Sequence, residues 1–136
     1  MAKAEAKLPI IVECFERASL ERFAQLSDLP LIYLMFWENP AVSYNVTEIA
    51  TFAHGVGPSM NWLFEYKPTD NATHSAFIEE AHAVGLKVHP YTLQDDFLKF
   101  AGQPLDMIEI LVNKGIDGIF TEFPHLAQQA FIAYPY

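Results

Sequence analysis

The sequence predicts an α/β fold: a partial parallel (β/α) barrel of TIM type with about four to five strand–helix units. Three observations carry this. Apolar runs of strand length begin near residues 10, 31, 61, 86 and 116, so 21 to 30 residues apart, with a helix pattern between successive runs. That is the rhythm of right-handed βαβ units. The runs are apolar throughout and do not alternate, as parallel strands covered on both faces require. Twice, at Gly85 and Gly115, a helix pattern closes on glycine and passes directly into a strand with polar and aromatic residues at its tip. Ligands collect at that end of parallel strands.

The elements follow in order. Residues 1–9 read as a polar tail and residues 10–136 as one half-barrel unit. Ile10–Cys14 is the first strand candidate, after Pro9. Residues 16–27 carry Leu20, Phe23, Ala24 and Ser27 at helical spacing. Leu29–Phe36 is the second strand. Asn45 with Glu48 three residues on is an N-cap pattern, and Val46, Ile49, Ala50 and Ala53 form the face behind it. Trp62–Glu65 reads as a short third strand. Phe77, Ala81 and Val84 form a helix face ended by Gly85. Residues 86–93 make the fourth strand. Pro104 suits a helix first turn ahead of Leu105, Ile108 and Leu111, closed by Gly115. Ile116–Thr121 is the last strand, and a final helix runs from about Leu126 to Phe131.

Composition narrows the function. Hydrophobic residues make up 51% and charged residues 18%, which is globular. A net charge of −9 argues against nucleic acid, whose phosphates need Lys and Arg. The single cysteine, Cys14, excludes an internal disulfide. The polar first residues are neither a signal nor a transit peptide, and the longest apolar stretch, Leu29–Trp37, is too short to cross a bilayer. A soluble chain is expected, of unassigned compartment. Gly55-Val-Gly57-Pro58 has two glycines and no Walker-type Lys, so it is a poor phosphate loop. A doubly wound, flavodoxin-like sheet explains the βα rhythm but not the motifs below.

Four motifs carry a resemblance. Val88-His-Pro-Tyr-Thr92, Gly115-Ile-Asp-Gly-Ile-Phe-Thr-Glu-Phe-Pro124, Ile11-Val-Glu-Cys-Phe15 and Ala53-His-Gly-Val-Gly-Pro58 stand in one order across residues 10–125. Together they resemble the later barrel strands of the glycerophosphodiester phosphodiesterase family. The resemblance implies metal-dependent hydrolysis of glycerophosphodiesters to glycerol 3-phosphate and an alcohol. It also implies a calcium or magnesium cofactor, held by the other half of the barrel. That family's early H-R-G, E-x-D, H-D and E-x-K motifs are missing here. Cys14 stands for the usual Ser, Glu122 for the usual Asp, and Leu93-Gln-Asp-Asp96 replaces a basic segment.

Candidate substrate-binding residues are therefore Tyr91, His89 and Phe15. The resemblance places Tyr91 as an aromatic wall against glycerol, with core packing as the alternative. His89 shares its side of the strand by alternation. It either touches a phosphate or is a structural strand histidine. Phe15 is pocket wall or core. Glu13 either reaches a metal, pairs with a Lys from missing strands, or turns outward. Asp95 and Asp96 are read as a helix start, and His74 and His82 as a solvated helix face. No catalytic residue is expected in this chain.

A full eight-fold barrel takes roughly 250 residues, so this one leaves two strand edges open. Its partner is then the missing barrel half, from the same or another chain, or a larger assembly. Two functions follow: the pocket-lining half of a phosphodiesterase, inactive alone; or a complete, shortened, catalytically inactive structural subunit that docks into that assembly.

Overall fold

The computed structural model describes residues 9–36, 44–60, 63, 73–94 and 104–133. Four strands, β1 (Val12–Cys14), β2 (Leu31–Leu34), β3 (Gly55–Gly57) and β4 (Lys87–Val88), form one sheet in the order β1-β2-β3-β4. All three pairings are parallel. Beyond β4, the chain through Ile116–Thr121 runs alongside as a fifth extended segment. It donates from Asp117 to Val88 O and from Phe120 to Pro90 O, and pairs in parallel at Leu93 and Thr121. The expected last strand is thus in place, as an extended segment hydrogen-bonded to the β4 chain from Asp117 to Glu122.

The helices are α1 (Arg17–Ala24), α2 (Val46–Ile49), α3 (Thr73–Ala83), α4 (Pro104–Asn113) and α5 (Pro124–Ala133). Their ends follow local chemistry. The Asn45 side chain accepts from the Glu48 N–H at 3.1 Å, as its cap pattern predicts. α3 and α4 end in the same way. Gly85 (φ +82°) donates to His82 O while Leu86 donates to Ala81 O; Gly115 (φ +93°) donates to Val112 O while Ile116 donates to Leu111 O. This double bond through a left-handed residue is what only glycine supplies without strain. It turns each helix straight into the next strand.

The core lies between the sheet and helices α3, α4 and α5. Val56 and Val88 from the sheet meet Ile78, Ala81, Met107, Ile108 and Leu111 there, all almost fully buried. Each large apolar side chain so buried contributes about 1.5–3 kcal/mol. α1 is attached more lightly. It buries Leu20, and Arg17 bridges to Glu21 and to Glu48 while lying 4.6 Å over the Phe52 ring.

Two expectations need correction. Trp62–Glu65 does not supply the third strand: Leu63 is helical, and Trp62, Phe64 and Glu65 lie outside the described residues. The strand is Gly55-Val-Gly57 instead. A Cβ at Gly55 would fall 2.5 Å from Ile32 Cδ1 and 2.7 Å from Lys87 O; one at Gly57 would fall 2.6 Å from Leu34 Cδ2. The β2 side chains lean over this strand, so it has to be bare on that face, and a bare strand has no apolar pattern. Nor are the strands uniformly buried. Glu13 in β1 and Lys87 in β4 are exposed, because only the helix-packed face is fully covered there.

Candidate functional site

The strand register sorts the side chains onto two faces. Cys14, Tyr33, Val56 and Val88 stand in one row on the helix-packed face. Glu13, Ile32, Gly55 and Lys87 stand in the row beside it, on the opposite face. Alternation carries Phe15, Leu34, Gly57 and His89 onto that same face, one layer nearer the C-terminal ends of the strands. Phe36 and Tyr91 follow at the rim.

There three rings come together. Phe15 stacks on Phe36 with centroids 4.3 Å apart and meets Tyr91 edge-on at 5.6 Å. The Tyr91 hydroxyl donates to Met35 O at 2.5 Å, and Tyr44 donates to Phe36 O at 2.9 Å. Burial, and secondarily the Tyr44 phenol, push the Tyr91 hydroxyl above its usual range. It is therefore a neutral donor, with its ring fixed at both ends. Phe36 remains 51% exposed, so the cluster presents an aromatic surface to solvent. Sequence reasoning singled out Tyr91 and Phe15 and missed Phe36. Its signal was available: it stands two residues beyond Leu34, the residue of β2 level with Phe15, and so on the same face.

His89 sits deeper. Its ring lies against Gly118, where a Cβ would fall 2.7–3.0 Å from three ring atoms, and its centroid is 6.2 Å from that of Phe120. Burial pulls the imidazole below its usual pKa, Lys87 adds to this, and Asp117 partly offsets it. The ring is thus held neutral at pH 7.

Glu13 stands apart from this group. In its row, Ile32 and Gly55 separate it from Lys87 by three strand spacings, roughly 14 Å. Burial raises its pKa, and no ion pair is formed by it among the described residues. Calcium and magnesium need several oxygen ligands together. Among the described residues no three His, Cys, Asp or Glu side chains converge, so these residues do not fit such an ion. Asp95 and Asp96 lie outside the described residues.

A second polar cluster occupies the opposite, N-terminal end of β4. Asp117 accepts from Val88 N–H at 2.9 Å, lies 2.7 Å from His82 Nε2, and receives Lys87 Nζ at 3.2 Å. Burial alone would raise its pKa, but the Val88, His82 and Lys87 hydrogen bonds outweigh that and hold it below the usual carboxylate range. These residues line a shallow depression of about 190 Å³ with Gly85 and Leu86. His82 is therefore not merely on a solvated face, as its helical position implied. It is recruited across 35 residues of sequence, a distance no local pattern reports. His54 is structural: its Nδ1 accepts from Leu31 N–H at 3.1 Å.

Known proteins are similar to this chain. The model of the glycerophosphoryl diester phosphodiesterase family matches residues 2–126. The Arabidopsis thaliana glycerophosphodiester phosphodiesterase GDPD6 is 28% identical over 137 aligned positions, covering 86% of this chain and 36% of that protein. Among solved structures, a Silicibacter pomeroyi protein named for the same activity superposes with a TM-score of 0.61 at 22% identity, over 90% of this chain and 38% of its own. A glycerophosphodiester phosphodiesterase of Parabacteroides distasonis gives 0.60 at 15% identity, over 91% and 43%. The chain thus spans 36% to 43% of the length of these relatives. No helix among the described residues is long and apolar enough to cross a membrane. With the parallel sheet, the rim motif and the Gly115–Pro124 segment all within the span that the family's model matches, the chain belongs to the glycerophosphoryl diester phosphodiesterase family.

Proposed function

We propose that this chain is the pocket-lining portion of a glycerophosphodiester phosphodiesterase-like barrel. It orients glycerophosphodiesters for metal-dependent hydrolysis to glycerol 3-phosphate and an alcohol. The observation that supports this best is the aromatic cluster at the C-terminal end of the strands, where parallel barrels bind their ligands. Phe15, Phe36 and Tyr91 present apolar ring surface to the carbon skeleton of the substrate and keep water from that side. His89 offers a neutral imidazole one layer below as a contact for phosphate oxygen. The divalent ion and the acid/base groups belong to the complementary portion of the barrel, because the described residues offer no oxygen cluster for a hard cation.

The test is hydrolysis of glycerophosphocholine with calcium or magnesium. The 136-residue chain alone should give none. Co-expression with the part of the Arabidopsis relative that this chain does not cover should give activity. Turnover by the chain alone would overturn the division of labour. A stable complex without turnover would favour the second reading, an inactive structural subunit. The exposure of Ile10 (51%) and Ile11 (44%) beside the edge strand supports that one.

A further inference from the structure

The Val88 backbone is held by a side chain where a ladder would use a carbonyl. Lys87 and His89 donate their N–H groups toward β3, to His54 O and Val56 O, so the N–H and C=O of Val88 point the other way, toward the 116–121 segment. The C=O accepts from Asp117 N–H at 2.9 Å. In a regular parallel ladder the Val88 N–H would then donate to the carbonyl of Gly115. Gly115 instead occupies the left-handed turn that closes α4 (φ +93°), so the extended segment has not yet begun there. The Asp117 carboxylate takes the acceptor's place, 2.9 Å from Val88 N. The next residue on each chain completes the arrangement: the His89 ring lies against Gly118.

We propose that Asp117 is a positioning residue for His89: its carboxylate fixes the Val88 backbone from which the imidazole projects, and Gly118 leaves the slot that the ring fills. The inference rests on the reading of His89 as a phosphate contact and adds what holds the ring in place for it. Three observations favour a directed role over general stability. Val88 is fully buried, so its N–H has no water to turn to if the carboxylate is lost. Both Val88 backbone groups end on one residue, so a movement of Asp117 passes straight to the adjoining His89 peptide. His82 and Lys87 bind the same carboxylate and leave it little freedom to turn away from Val88. A polar cluster at the N-terminal end of β4 thereby sets a side chain on the pocket face.

The experiment uses the full 136-residue chain and reads His89 by NMR in two ways. One is the NOE between its ring and the Gly118 α-protons; the other is its imidazole shifts as inorganic phosphate is added. Asp117→Ala should abolish the NOE and raise the half-saturating phosphate concentration about fivefold, the weight of one hydrogen bond. Asp117→Asn should restore both, because its side-chain oxygen still accepts from Val88 N–H. His82→Ala breaks a bond to the same carboxylate and spares Val88, so it should leave both as they are. If Asp117→Ala does not fold, Asp117→Glu carries the same expectation, since the longer side chain moves its oxygens off the Val88 N–H. An NOE that survives in the folded Ala or Glu variant would overturn the proposal. So would an NOE lost equally in His82→Ala, because loosening the cluster alone would then move the ring. If phosphate moves the His89 shifts and the Asp117 variants respond as the parent chain does, the positioning role fails and the phosphate reading stands. If the NOE follows the expected pattern but phosphate leaves His89 unmoved in every chain, the phosphate reading fails and the positioning role stands.

Discussion

The two ends of the sheet are built from opposite chemistry. At the C-terminal end, Phe15, Phe36 and Tyr91 pack ring on ring and leave aromatic area facing solvent. At the N-terminal end, a single carboxylate, Asp117, gathers a backbone N–H, a histidine and a lysine from the neighbouring strand and helix. Parallel barrels separate the two tasks in this way, with ligand chemistry at one end and stability at the other. The contrast teaches that a polar cluster containing His, Asp and Lys need not be the functional site. Both carboxylate oxygens and the N–H of Asp117 are engaged in holding β4, α3 and the fifth segment together. The rim, by contrast, has surface to spare.

The largest expected effect tests the stability end. Asp117→Ala should cost about 2 kcal/mol in chemical denaturation, because it strands the N–H of fully buried Val88 as well as releasing His82 and Lys87. A loss under about 0.5 kcal/mol, the size typical of a surface substitution, would break the comparison. Acid sharpens it further. The folded pKa of Asp117 lies below its unfolded value, so its contribution is complete above about pH 4 and is lost as pH falls through the folded pKa. His89 is also depressed, so its contribution is complete above about pH 6.5 and is lost as pH falls from there toward its folded value. Stability measured against pH should therefore fall in two steps. Asp117→Asn should remove the lower one, and a profile unchanged by that variant would sink the assignment.

Next in size is Gly118→Ala. The added Cβ would press on three atoms of the His89 ring and should cost about 1–2 kcal/mol. The more telling reading is the His89 titration by NMR, which should move up toward the ordinary histidine value as the ring is pushed out. An unchanged titration would mean that Gly118 does not seat the ring.

How far the sequence carried these conclusions depended on whether the signal was local. The Asn45 cap, the Pro104 start and the two glycine stops at Gly85 and Gly115 are each decided within six residues, and each stands where its pattern placed it. β3 was illegible because its identity lies in what it lacks: Ile32 and Leu34 occupy the space that its side chains would fill. The fifth segment was legible as apolar chain, and it lies beside the β4 chain where its run placed it. In the candidate site, Tyr91 and Phe15 could be found because the motifs that carry the family resemblance, residues 88–92 and 11–15, contain them. Phe36 was passed over because none of those motifs reaches the end of β2. The Asp117 cluster joins residues about 30 apart through the sheet, so only tertiary structure assembles it.

The smallest effect concerns the rim itself. Tyr91→Phe removes one hydrogen bond, from the hydroxyl to Met35 O, and keeps the ring that meets Phe15. It should cost about 1 kcal/mol, the net size of one neutral hydrogen bond, and less than Asp117→Ala, which breaks three contacts. Its significance is in the ratio to Asp117→Ala. If the rim is built for a ligand, losing the hydroxyl leaves the fold nearly intact and loosens the ring. In the co-expressed barrel that would raise KM for glycerophosphocholine more than it lowers kcat. A stability loss equal to that of Asp117→Ala would make Tyr91 a second structural tie, and the two ends of the sheet would no longer differ in kind.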